Sequence, residues 1–139
     1  MIAVRKTGNK GRGVYAKKRF RPGDLIERCP VILLRHQERE RIEPTILSMY
    51  CFRWGADSEE VAIVLGYGSL YNHSYQPNAD FHRRADEGAM DFVALADILP
   101  GDEITINYNG CPDDQSPLWF HEGGWGWYAA PTACAPRAA

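Results

Sequence analysis

The chain has 139 residues, 45% of them apolar and 24% charged, with a net charge of −2, which is one ordinary globular domain rather than two. It holds no apolar run near the ~18 residues that a membrane-spanning helix needs. Its first residues lack the long apolar core of a secretory signal, so a cytoplasmic or nuclear protein is expected, not a secreted one. The four cysteines, Cys29, Cys51, Cys111 and Cys134, form no close pair; this spacing argues against a zinc ribbon and against a secreted disulfide framework.

Charge is unevenly distributed. Residues 1–43 hold 12 Lys/Arg against 5 Asp/Glu, and residues 44–139 hold 4 against 13. Two solvated faces would explain this, and so would an acidic surface that attracts a basic peptide.

In chain order, the first third reads as short strands joined by glycine turns. Gly11-Arg12-Gly13 precedes Val14-Tyr15-Ala16, and Arg21-Pro22-Gly23-Asp24 precedes Leu25-Ile26-Glu27. Pro-Gly suits the centre of a type II turn, because proline presets φ and glycine accepts a positive one. A charged stretch, Arg35 to Glu43, leads to Pro44. Ile46, Leu47, Tyr50, Cys51 and Trp54 follow at helical spacing, which predicts a helix with Pro44 in its first turn and Gly55 at its end.

Val61–Leu65 reads as a strand closed by Gly66-Tyr67-Gly68, and residues 72–78 read as a polar turn segment. A hairpin is expected with arms at Ala79–His82 and Met90–Ala96 and its turn at Asp86-Glu87-Gly88. Asp102–Tyr108 alternates as a strand, with Ile104, Ile106 and Tyr108 on one face. After Gly110 the chain is loop-like and then aromatic, with Trp119, Phe120, Trp125, Trp127 and Tyr128. The expected fold class is mostly β with minor α. A single domain is expected over 1–128, with a disordered tail over 129–139.

Three segments carry chemistry. Taken alone, Gly11-Arg12-Gly13 is a plain turn, Asn72-His73-Ser74 is a polar turn, and the strand ending at Tyr108 offers a core tyrosine. A metal role for His73 is disfavoured, since no ligand sits at suitable spacing; His36, His82 and His121 share no spacing either. Together and in this order, Gly-x-Gly, Asn-His-Ser-x-x-Pro-Asn and Gly-Asp-Glu-Ile-Thr-x-x-Tyr resemble the SET-domain protein-lysine methyltransferases, over about residues 4–110. The compactness resembles the stand-alone SET proteins of viruses and bacteria.

The resemblance implies the SET-domain (β-clip) fold, small curved sheets with a pseudoknot formed by the C-terminal segment. It implies S-adenosyl-L-methionine as cofactor, with Gly11, Arg12 and Gly13 against its methionyl part and Asn72 and His73 around its adenine. Tyr108 faces the methyl group, with Tyr50 beside it as the second catalytic candidate. Trp119 is the candidate to stack on the adenine. Tyr67, Phe81, Ile106 and Phe120 are the candidate walls of a lysine channel. Phe81 and Ile106 carry no hydroxyl, which favours higher methylation.

The methyl acceptor is expected to be a lysine-containing protein, histone-like or otherwise basic, with no direct nucleic-acid partner and no membrane. Tyr75 stands where many relatives have cysteine, and no cysteine cluster follows Tyr108, so no zinc is expected. The channel must then be closed by the C-terminal aromatics, by a partner subunit, or not at all; a partner subunit admits a homodimer. The alternative is a catalytically weak SET-fold module that binds a peptide or partner; an unrelated small β domain that binds a sugar or assembles is the third reading.

Overall fold

A computed structural model of the chain describes residues 1–8, 10–56 and 59–118. The expected aromatic and tail segments from Trp119 to Ala139, including Phe120 and Cys134, lie outside the described residues.

Nine strands and one α-helix are described: β1 (Ile2–Lys6), β2 (Arg12–Ala16), β3 (Leu25–Leu34), α1 (His36–Ile42), β4 (Cys51–Trp54), β5 (Glu60–Val64), β6 (Asn72–His73), β7 (Ala79–Arg84), β8 (Ala89–Ala94) and β9 (Glu103–Ile106). They form a four-stranded sheet ordered β1-β2-β9-β6 and a five-stranded sheet ordered β4-β5-β3-β8-β7. The mostly β expectation holds.

Strand alternation explains the core. In β9, Ile104 and Ile106 point inward and are fully buried; in β2, Val14 and Ala16 do the same. Strand β8 lies between β3 and β7, and five of its six residues are buried. Phe92 stacks on Tyr71 at 4.3 Å between ring centroids, and Phe52 meets Phe81 edge-on at 5.1 Å. The outer face of β8 carries Asp91, directly opposite Arg28 on β3 and His82 on β7. The hairpin expected around residues 86–88 forms between β7 and β8, with Gly88 in the left-handed region at φ 59°.

The expected helix from Pro44 to Gly55 does not form. The α-helix lies upstream in the charged stretch, where the Glu38 side chain accepts from the Arg35 N–H at 2.9 Å and closes a capping box. After Pro44 there is a single 3-10 turn, Ile46–Tyr50, held by Thr45, whose Oγ1 accepts from the Leu47 N–H at 3.3 Å. The chain then extends, because Cys51–Trp54 pairs with β5. Phe52 and Trp54 follow Tyr50 at period two, and that aromatic alternation with a β partner prevails over the helical stripe.

Two features position the site. Asn72 and His73 form β6, which pairs in parallel with β9, and Ser74 N–H continues the ladder by donating to the Ile106 carbonyl at 2.9 Å. The segment after Gly110 turns back beside residues 74–76. Gln115 Nε2 donates to the Tyr75 carbonyl at 3.0 Å, and the Tyr75 hydroxyl donates to the Ser116 carbonyl at 3.2 Å. Cys29 and Cys51 are free thiols.

Candidate active site

A cavity of about 540 Å³ is bounded by Lys10, Gly11 and Arg12 from the β1–β2 turn, Met49 and Tyr50 from the 3-10 turn, and Ser69 and Leu70 before β6. Asn72 and His73 of β6, Tyr108 after β9, and Leu118 complete the wall. Three segments far apart in the chain therefore meet on one space, and each arrives for a local reason.

The first is the glycine loop. Gly11 has φ 76°, a left-handed conformation that glycine adopts without steric cost, and a side-chain carbon there would meet nothing within 4 Å. Gly13 is needed for the opposite reason. A Cβ there would stand 2.5 Å from Glu103 Oε1 and 2.8 Å from Asn72 Nδ2, so even alanine would push on the groups that hold the loop.

The second is Asn72. Its side-chain amide donates both hydrogens, to the Arg12 carbonyl at 2.8 Å and to Glu103 Oε1 at 2.7 Å. The amide thus ties the glycine loop to β9. Towards the cavity Asn72 offers only an acceptor and backbone, because a primary amide has two N–H donors. Next to it, His73 Nδ1 accepts from the Tyr108 N–H at 3.0 Å. That bond requires an unprotonated Nδ1, so the neutral ring carries its proton on Nε2. The Lys10 ammonium reaches over to donate to the His73 carbonyl at 3.3 Å.

The third is Tyr108. Its hydroxyl donates to the Tyr71 carbonyl at 2.6 Å, and its ring lies 5.2 Å from that of His73. Burial, with Tyr50 and Glu103 nearby, pushes the Tyr108 phenol up to about 12. It stays protonated at neutral pH. With its proton committed to Tyr71, the oxygen can act towards the cavity only as an acceptor. Tyr71 is itself held: its hydroxyl donates to Glu27 Oε1 at 3.0 Å, and burial first, then the Glu27 charge, pushes this phenol far up.

Of the residues singled out in the sequence, the structure brings Gly11, Arg12, Tyr50, Asn72, His73 and Tyr108 to the cavity, with Gly13 immediately behind it. Phe81 and Ile106 do not line it. Phe81 packs in the core against Phe52 and Phe92, and Ile106 is fully buried under β9. The inference of higher methylation from these two residues therefore loses its basis. Tyr67 is 38% exposed in the turn before Gly68 and does not line the cavity. Trp119 and Phe120 lie outside the described residues.

Lys10, Met49, Ser69, Leu70 and Leu118 escaped the sequence reading. Neighbourhood to the glycine loop could have signalled Lys10, and neighbourhood to Tyr50 could have signalled Met49; nothing local marks the other three. Among the described residues no group of three or more His, Cys, Asp or Glu is placed to hold a metal ion.

The fold and this cavity define a SET domain. The SET-domain family model matches residues 11–109, and the chain belongs to that family. A fission-yeast (Schizosaccharomyces pombe) protein named histone-lysine N-methyltransferase, H3 lysine-37 specific, is 29% identical over 122 residues, covering 87% of this chain and 78% of that protein. The human protein-lysine N-trimethyltransferase SMYD5 is 28% identical over 115 residues, which are 80% of this chain and 26% of that protein. Among solved structures, the Neurospora SET domain protein DIM-5, a histone lysine methyltransferase, superposes with a TM-score of 0.61 at 21% identity, covering 77% of this chain and 51% of that one. This last likeness is one of fold.

Proposed function

We propose that the protein is an S-adenosylmethionine-dependent protein-lysine N-methyltransferase. The observation that carries this reading is the convergence of the glycine loop, the Asn72-His73 strand and the Tyr108 hydroxyl on one cavity. Membership of the SET family and the methyltransferase names of the relatives support it.

The residues fit the cofactor. Gly11 leaves open space where a side chain would stand, so backbone can approach a ligand closely there. Lys10 and Arg12 are cations suited to an amino-acid carboxylate. Leu70, Leu118 and the His73 ring offer apolar and aromatic surface for a base. When bound, this cofactor supplies a methyl group on a positively charged sulfur.

The chain's own residues orient and shield. Tyr50 and Tyr108 wall a space for a lysine stem, whose methylenes pack on aromatic faces. The Tyr108 oxygen, acting as an acceptor, holds polarised C–H or N–H groups in line. The amine must be neutral to attack, and burial beside positive charge disfavours the ammonium. Tyr108 does not take that proton at neutral pH, since its own pKa is near 12; the proton leaves to water. Alignment of the reactants supplies the barrier reduction, of the order of 7–11 kcal/mol for well-oriented groups.

The substrate we assign is a lysine in a basic, histone-like protein. The relative's name and the acidic balance of residues 44–139 support this. The test is incubation with labelled S-adenosylmethionine and core histones beside the Tyr108→Phe variant. Label on lysine is expected, with transfer falling about a hundredfold or more in the variant while calorimetry shows cofactor binding unchanged. Absence of cofactor binding by the wild type defeats the assignment, and binding without transfer to any basic protein points to a binding module instead.

A further inference from the structure

Residues 1–18 contain six Lys/Arg and no Asp or Glu, in a chain whose net charge is −2. Strands β1 and β2 make this segment one hairpin. They pair from Ile2↔Ala16 to Lys6↔Arg12. Arg5, Lys6, Lys10 and Arg12 gather at its turn, and Lys17 and Lys18 stand at its base. All six are exposed, and β1 is an edge strand of its sheet among the described residues.

None of the six makes an ion pair among the described residues, whereas Arg19, Arg28 and Arg84 pair with Asp97, Asp91 and Glu87. Two acids at the neighbouring strand, Asp102 and Glu103, are engaged by neutral donors. Glu103 accepts from the Asn72 amide, and Asp102 accepts from the Leu99 N–H at 2.9 Å. Among the described residues, then, no ion pair offsets the positive charge of the hairpin.

We propose that the β1–β2 hairpin is a docking surface for a nucleic acid backbone. Six exposed cations hold a concentrated positive field, and their release of counterions from a polyanion favours binding to a continuous row of phosphates. From Arg12 to Lys17 the strand runs about 17 Å at ~3.4 Å per residue. Duplex DNA presents on the order of ten phosphate charges over that length. Arg5 lies over the Tyr15 ring with its guanidinium carbon 5.7 Å from the ring centre, which holds a planar donor group at the surface.

A lipid surface fits less well. Membrane-binding segments pair basic residues with an exposed apolar face, and the hairpin's Val14 and Ala16 are fully buried in the core. This departs from the expectation of no direct nucleic-acid partner: no nucleic-acid motif marks the surface, but its charge does. Lys10 and Arg12 also border the cavity, so a bound duplex would lie beside the site and bring basic proteins carried on DNA within reach.

The experiment is fluorescence anisotropy of a short labelled DNA duplex with the full chain, titrated at several salt concentrations. Two double variants are compared. Lys6→Gln/Lys17→Gln removes two hairpin charges and spares the cavity, and Arg35→Gln/Arg41→Gln removes two charges near α1. Binding at low salt is expected, weakening with salt at a log–log slope of about −3 to −5. The hairpin variant should bind about tenfold more weakly with a slope shallower by about 2, and the α1 variant should change little. Calorimetric binding of S-adenosylmethionine by each variant checks that the fold is kept. No binding by the wild type, equal losses in the two variants, or preference for phosphatidylserine vesicles over DNA would each overturn the proposal.

Discussion

The two sheets are held together by different means. The five-stranded sheet is built on long ladders and apolar packing: β3 alone spans ten residues and pairs with β5 on one side and β8 on the other, and Cys29 of β3 and Met90 and Phe92 of β8 are fully buried. The sheet that carries the site has a two-residue strand, β6, and much of its holding is done by asparagine side chains. Asn78 donates to the Glu103 carbonyl and accepts from the Thr105 N–H; Asn107 and Asn109 hold the carbonyls of residues 112–116. A ladder needs consecutive residues in register, whereas an amide can satisfy one donor and one acceptor wherever the backbone is irregular. The site is an irregular place because three separate segments must converge there.

If this contrast is right, mutations in the two sheets should separate stability from function. The largest stability effect is expected from Phe92→Ala, which empties a fully buried ring site between Tyr71 and Phe81. A loss of about 3–5 kcal/mol is expected in a urea titration, with transfer per folded molecule little changed. Asn107→Ala comes next. Asn107 is 3% exposed, donates to the Pro112 and Asp114 carbonyls, and accepts from the Asn109 N–H. Its truncation leaves the partly buried Pro112 and Asp114 carbonyls and the Asn109 N–H unsatisfied, at about 1–3 kcal/mol. Unlike Phe92→Ala, it should also lower transfer per folded molecule, since residues 112–118 reach the cavity through Leu118. Equal activity per folded molecule in both variants would erase the distinction.

Asn72 sharpens the comparison further. Asn72→Ala frees the Arg12 carbonyl and Glu103 from their shared clamp, so cofactor affinity measured by calorimetry should fall about tenfold, or ~1.4 kcal/mol. Global stability should fall by about 1 kcal/mol. Asn72→Asp should do worse than alanine, because a carboxylate would then face Glu103 at hydrogen-bonding distance. If alanine and aspartate weaken cofactor binding equally, Asn72 does not work through Glu103.

This contrast also explains what could be read from the sequence. The strands Val61–Leu65, Ala79–His82 and Asp102–Tyr108 were legible because alternation and turn residues are local signals, and the site residues Tyr108, Asn72, His73 and Gly11 were legible through ordered motifs. The Pro44–Gly55 segment was not. Tyr50, Cys51 and Trp54 fit a helical stripe equally well, and only the partner strand β5 decides the matter. The resemblance makes Phe81 and Ile106 channel candidates, but burial against Phe52, Phe92 and the β9 core is a tertiary fact that no local pattern reports. The resemblance marks Asn72 as a cofactor contact; that both its hydrogens tie Arg12 to Glu103 follows from two elements meeting in space.

The smallest expected effect lies on the outer face of the five-stranded sheet, where a polar group does occur in a regular ladder. The Asp91 carboxylate receives two Arg28 bonds, at 2.6 and 2.8 Å, across directly paired positions. The hydrogen bonds from Arg28 hold its pKa below the ordinary carboxylate value, and burial opposes them. A carboxylate depressed in the folded state contributes stability that is complete above the unfolded pKa, near 3.9, and is lost as pH falls through the folded value. Asp91→Asn should therefore lower the urea midpoint at pH 7 by about 0.5 M or less, since Arg28 is half-exposed and water screens the pair. The gap between wild type and variant should stay constant down to about pH 5 and close below pH 4. No gap at pH 7 would mean that the ladder and its apolar packing hold this strand without the charge, and a gap that widened in acid would mean that the fold favours the protonated carboxyl.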